Sequence, residues 1–190
     1  MLTPFLFKVI YFYLISVALA LLEIQIEGPH GWAAKLPTWR PKPDSKIAKF
    51  YAKIMSNKEL TGYHFVLNIF LLLFMHWPFV WSWSWSIYEE LEIMSLFMLF
   101  VVVWDFLWFI MNPHFSLHDF GPAKVWWHKK WTGRIPTDYF FGIGAAIILF
   151  IPEIIYLDAL TGIYKVLIML GVNTVLTFLI IKIDPYTYKI

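Results

Sequence analysis

The chain has 190 residues, 60% of them hydrophobic and only 15% charged, with a mean hydropathy of +0.65. A soluble domain carries about 25% charged residues, so this composition points to an integral membrane protein, a single polytopic domain over residues 1–190. The formal charge of +2 gives no reason to invoke nucleic acid, and the absence of cysteine excludes disulfides, thiolate metal sites, c-type haem attachment and cysteine nucleophiles.

A helix that crosses a bilayer needs about 20 mostly apolar residues. Five segments meet that length in chain order: 4–26, 63–81, 91–111, 139–156 and 163–183. The fold class predicted is therefore an all-α membrane protein. The first segment is too long for a signal-peptide core and carries Lys8 inside it, so it reads as a retained helix. Pro152 places a kink near the end of the fourth.

Between the first two segments lies the loop 28–61. Its first half, "EGPHGWAAKLPTWRPKPD", is rich in proline and reads as irregular. Its second half, "SKIAKFYAKIMSNKEL", spaces Ile47, Phe50, Tyr51, Ile54 and Met55 as one helix face, with Ser45 as N-cap. That is a short amphipathic helix suited to the cytoplasmic leaflet. After the second segment, "WPFVWSWSWSIYEEL" alternates Trp and Ser, which predicts a short extended interfacial stretch with one aromatic face. The second long loop, 112–137, holds Lys124, Lys129, Lys130 and Arg134.

Thirteen of the fifteen Lys and Arg residues fall in 28–61, in 112–137 or in the tail (Lys182 and Lys189). Five crossings put those three regions on one side, and the positive-inside rule makes that side cytoplasmic. The expected topology is N-terminus out and C-terminus in, in the cytoplasmic membrane of a prokaryote.

Ionisable groups inside such segments are costly and usually functional. Asp105 in "VVVWDFLWFI" lies about 10 Å from its helix end at 1.5 Å per residue. Asn112 follows on the same face. Glu23 and Glu27 are four residues apart, hence on one helix face. His64 opens the second segment, with Asn68 a turn deeper. His30, His114, His118 and His128 sit in the two long loops, so five of the six histidines share the cytoplasmic side; His76 lies at the other end and reads as interfacial.

His114 and His118, in "HFSLH", are spaced i, i+4, which on a helix turns both imidazoles to one side and lets them chelate one metal. Imidazole with carboxylate suits iron, zinc or manganese. The candidate ligands are His30, His64, His114, His118, His128, Asp105, Glu23 and Glu27, with Asp105 and Glu27 also the candidate catalytic groups. Arg40, Lys129 and Lys130 are candidates for a substrate headgroup.

The "HFSLH" box and its cytoplasmic placement resemble the membrane histidine-box enzymes, the fatty acid desaturase and hydroxylase class. That resemblance implies two irons, dioxygen activation and a lipid substrate, with His114 and His118 as ligands. The chain departs from the class in having six histidines and no HxxHH pattern; carboxylates would replace the missing imidazoles. The leading expectation is thus a metal-dependent membrane oxidoreductase acting on a lipid or other apolar substrate. Two alternatives stand beside it: a non-enzymatic subunit or assembly factor of a larger membrane complex, and a small transporter or haem b protein with two axial histidines. No GxSxG or Walker motif is present.

Overall fold

A computed structural model describes residues 2–55 and 57–183. Lys189, counted in the basic tail above, lies outside them. The chain is mostly helical: α1 (Leu2–Glu27), α2 (Lys46–Ile54), α3 (Gly62–Met75), α4 (Trp77–Ser82), α5 (Ile87–Met111), α6 (Thr137–Ile148), α7 (Ile151–Tyr156) and α8 (Ala159–Lys182). A two-stranded hairpin, β1 (Trp131–Thr132) with β2 (Ile135–Pro136), leads into α6.

Five stretches are long and apolar enough to cross a membrane: α1, α3 with α4, α5, α6 with α7, and α8. Each agrees with its predicted segment to within a few residues, apart from the starts of α5 and α8, which begin four residues early. The fourth breaks at Leu149–Phe150, so that Pro152 enters the first turn of α7. There its missing N–H costs no helical bond.

The centre of the bundle is α5. Its residues Leu96, Phe100, Trp104, Leu107, Phe109 and Ile110 are all buried, because α1, α6 and α8 pack around it. A Cβ on Gly142 would stand 2.5 Å from Val102 Cγ2, so only glycine lets α6 lie this close to α5. Helix α3 touches α5 sparingly and leaves most of its own apolar surface outward.

The two long loops meet at one end of the bundle. Asn112 Nδ2 donates to Gly28 O at 2.8 Å, and Trp126 Nε1 donates to His30 O at 3.2 Å. The opposite end is tied by ion pairs of Glu92 with Lys8 and Lys165, both 2.6 Å, and of Lys165 with Glu153, 2.8 Å.

Two local expectations are corrected. The Trp–Ser stretch is helical through Ser82 and then turns at Trp83, φ +50°, rather than being extended throughout. The "HFSLH" box is not on an α-helix. Asn112 caps the end of α5 in extended conformation, and a 3-10 turn follows at Leu117–Asp119, where Asp119 Oδ2 accepts from both the amide and the hydroxyl of Ser116 at 2.8 Å. Those short-range bonds compete with a helix and win.

Candidate functional site

The site starts from the end of α1. Glu23 and Glu27, one turn apart, both face inward and are buried. Gly28, φ +59°, stops the helix. Gly31, Trp32 and Ala33 then take successive positive φ values of 63°, 50° and 51°, a conformation that costs a non-glycine residue about 1–2 kcal/mol. Three contacts hold the strained turn. The Ala33 amide donates to Glu27 Oε1 in a short hydrogen bond, Arg40 donates to Ala33 O at 2.6 Å, and Trp32 Nε1 donates to Glu59 O at 2.8 Å. Gly31 is required for space as well, since a Cβ there would come within 2.8 Å of the Trp127 ring.

The turn delivers Trp32 onto His64, the rings stacked at 4.1 Å. His64 is placed by its own helix start. Thr61 is the N-cap of α3 and accepts from the His64 amide, and Thr61 Oγ1 lies 2.7 Å from His64 Nδ1. That fixes the ring so that Nε2 looks at Glu23 Oε1, 3.5 Å away, and Glu27 Oε1, 3.7 Å away. One ligand atom from each of Glu23, Glu27 and His64 lies within 4.8 Å of the others, and all three residues are buried. Glu23 Oε1 is buried without a hydrogen-bond partner.

A second polar set stands beside the first. His128 presents Nε2 to Asp105 Oδ2 at 2.9 Å and Nδ1 to Asp138 at 3.0 Å. Carboxylate oxygens only accept, so both ring nitrogens donate. Burial alone would lower the His128 pKa, but the two carboxylates outweigh it and raise the value above the ordinary one. Tyr139 donates to Asp105 in a short hydrogen bond. Lys58 is buried with its ammonium 2.9 Å from Asp138, 3.8 Å from Asp105 and 4.6 Å from the centre of the Trp32 ring. Lys58 and His128 thus neutralise Asp105 and Asp138. Among the described residues no Lys or Arg pairs with Glu23 or Glu27.

Glu23, Glu27 and His64 of the first set and Lys58, Asp105, Asp138 and Tyr139 of the second line one cavity of about 420 Å³, with His128 behind them. Its loop end is polar. Its deeper part is walled by Phe97, Met98, Val101 and Val102 of α5 and by Phe141, Gly142 and Ala145 of α6. From Asp105 to Phe97 is eight residues, so the apolar part runs about 12 Å along the bundle at 1.5 Å per residue.

Of the predicted ligands, the structure brings together Glu23, Glu27 and His64, and separately Asp105 with His128. His128 has neither nitrogen left for a metal. His30, His114 and His118 are exposed, and His114 and His118 lack the helical spacing that would chelate. Arg40 is engaged by Ala33 O and by Glu59 Oε2 at 3.5 Å. Lys129 and Lys130 are exposed, and Lys129 lies over Trp126 at 5.0 Å. Asn112 braces the two loops. His76 bonds Leu72 O and Glu90 at the other end of the bundle.

Trp32, Lys58, Asp138 and Tyr139 were not among the candidates. Asp138 and Tyr139 carried a usable signal, polar groups at the start of an apolar segment just after Pro136. Comparison with protein-family models, curated proteins and solved structures finds no match to this chain.

Proposed function

We propose that this protein is a metal-dependent membrane oxidoreductase whose metal is held by Glu23, Glu27 and His64 and whose apolar, lipid-like substrate fills the adjoining cavity. One observation carries the reading: two buried carboxylates and one imidazole converge, and Glu23 Oε1 has no hydrogen-bond partner among the described residues. A divalent cation would partner that oxygen and hold both carboxylates ionised, since buried charge must be paired or coordinate a metal. Oxygen and imidazole ligands favour iron, manganese or zinc. Three protein ligands leave coordination positions open, and iron or manganese there would supply dioxygen chemistry. The set suits one metal, where the histidine-box class holds two.

The chain's own residues have distinct tasks in this reading. Thr61 and Trp32 fix the His64 ring. Asp105 faces the cavity as an ionised carboxylate that can accept a hydrogen bond from substrate, and Tyr139 and His128 hold it by donating hydrogen bonds. Lys58 positions Asp138 and, through Trp32, the His64 ring. His128 has no free nitrogen and His64 faces two carboxylates, which favours a small metal over haem. The five apolar helices cross the membrane with both long loops cytoplasmic, and a reporter fused after Ile190 should score cytoplasmic.

The test is dioxygen uptake in a sealed cell by detergent-purified protein, given a chemical reductant and membrane lipid extract. Expected is uptake that requires lipid and disappears in His64→Ala. Metal-loaded protein that consumes no dioxygen with any lipid fraction would overturn the oxidative reading.

A further inference from the structure

We propose that the cavity takes an uncharged single-chain amphiphile, such as a long-chain alcohol, and takes it sideways from the bilayer rather than from the aqueous side. This rests on the reading that the cavity is the substrate site. Three cavity-lining residues are also exposed: Ile54 of α2, Phe65 of α3 and Phe141 of α6, at 56%, 44% and 66%. An apolar side chain that both lines a cavity and faces outward marks its rim. These three come from three elements and frame one side of the bundle, where α3 packs most loosely.

The loop end is shut by comparison. Trp32, Lys58 and Trp127 line the cavity there and are nearly fully buried, held by the bonds described above. Helix α2 carries Ile54 at the rim of the cavity, and an amphipathic helix of this kind suits the headgroup level of a bilayer. A ligand entering beneath it has its tail in the bilayer already and needs to move only its head past Phe65 and Phe141.

The head must be uncharged because the cavity has no cation to spare. Among the described lining residues Lys58 is the single Lys or Arg, and Asp138 and Asp105 engage it. A divalent metal on Glu23 and Glu27 is already matched by those two carboxylates, so a phosphate would add buried negative charge beside Asp105 that no Lys or Arg lining the cavity is free to offset. A hydroxyl or carbonyl meets hydrogen-bond partners there, and its chain matches the apolar wall beyond.

The absence of cysteine allows a test on folded protein. Phe141→Cys, and separately Phe65→Cys, are purified in detergent, and half of each sample is alkylated with a bulky maleimide. Both halves are exposed to a photoreactive dodecanol or to the phosphate ester of the same chain, and metal content is measured on each. The expected result is that the alcohol labels cavity peptides, that alkylation cuts labelling by about tenfold or more, and that the phosphate ester labels weakly. Labelling unchanged by alkylation, an equal loss on alkylating Trp83→Cys at the other end of the bundle, or equal labelling by the phosphate ester overturns the proposal. Metal present with labelling insensitive to alkylation sinks this inference alone. Metal absent with labelling blocked sinks only the metal reading.

Discussion

At the end of the bundle away from the long loops, Lys8, Glu92, Lys165 and Glu153 form a chain of alternating charge, exposed only at Lys8, each carboxylate met by an ammonium within 2.8 Å. At the loop end, Lys58 and His128 are the cations that Glu23, Glu27, Asp105 and Asp138 meet among the described residues, both of them at the two aspartates, and the four carboxylates border a cavity. The first cluster closes its own electrostatics and ties α1, α5, α7 and α8 together. The second leaves two carboxylates open and holds Trp32 and Ala33 in strained backbone beside them. Strained backbone and unpartnered buried polar atoms persist only where surrounding structure over-determines them, and they collect at functional sites. The difference supports the proposal that the first cluster serves stability and the second a ligand.

The sharpest way to break that comparison is to remove one carboxylate from each end of chelator-treated protein. Glu92→Ala leaves Lys165 with Glu153 alone and frees the exposed Lys8, and should cost about 1–2 kcal/mol in detergent unfolding, less than a fully buried broken pair. Glu23→Gln relieves repulsion with Glu27 and should leave the metal-free protein as stable or about 1 kcal/mol more stable. Equal losses at the two ends would show that both clusters are structural.

A pH series sharpens the assignment of His128 as the doubly bonded cation. Its folded pKa is raised, so the folded state binds its proton more tightly than the unfolded chain does. Its contribution to stability is complete below the unfolded value near 6.5 and is lost as pH rises through the folded value. His128→Gln should flatten that decline on the alkaline side. A steeper decline in the variant would mean that His128 is neutral in the fold.

The smallest effect is expected at the exposed box. His114→Ala with His118→Ala should change stability by less than about 0.5 kcal/mol, as surface substitutions do, and should leave metal content unaltered.

Much of the architecture was legible because length and hydropathy alone decide which segments can cross a bilayer. Glu23 with Glu27, His64 and Asp105 were legible too, since a charged or polar group in an apolar run is anomalous on its face. Their grouping was not. The i, i+4 spacing of His114 and His118 implies chelation only on a helix, and Asn112, Ser116 and Asp119 spend their side chains on caps and turns instead. Lys58 was hidden among the lysines of the first loop, and nothing local marks it as the one that is buried. Trp32 reaches His64 only through three consecutive positive φ values, which the run "HGWAA" suggests at its glycine and nowhere else. What pairs with what depends on contacts made across the bundle, such as Lys58 with Asp138, 80 positions apart.

The most direct test of the metal centre is metal content per polypeptide in protein from metal-replete cells, comparing wild type, Glu23→Gln/Glu27→Gln and His114→Ala/His118→Ala. The result expected is about one metal per chain in the wild type and in the double-histidine variant, and none in the double-glutamine variant. Metal that survives loss of both glutamates but disappears with His114 and His118 would contradict the site on Glu23, Glu27 and His64.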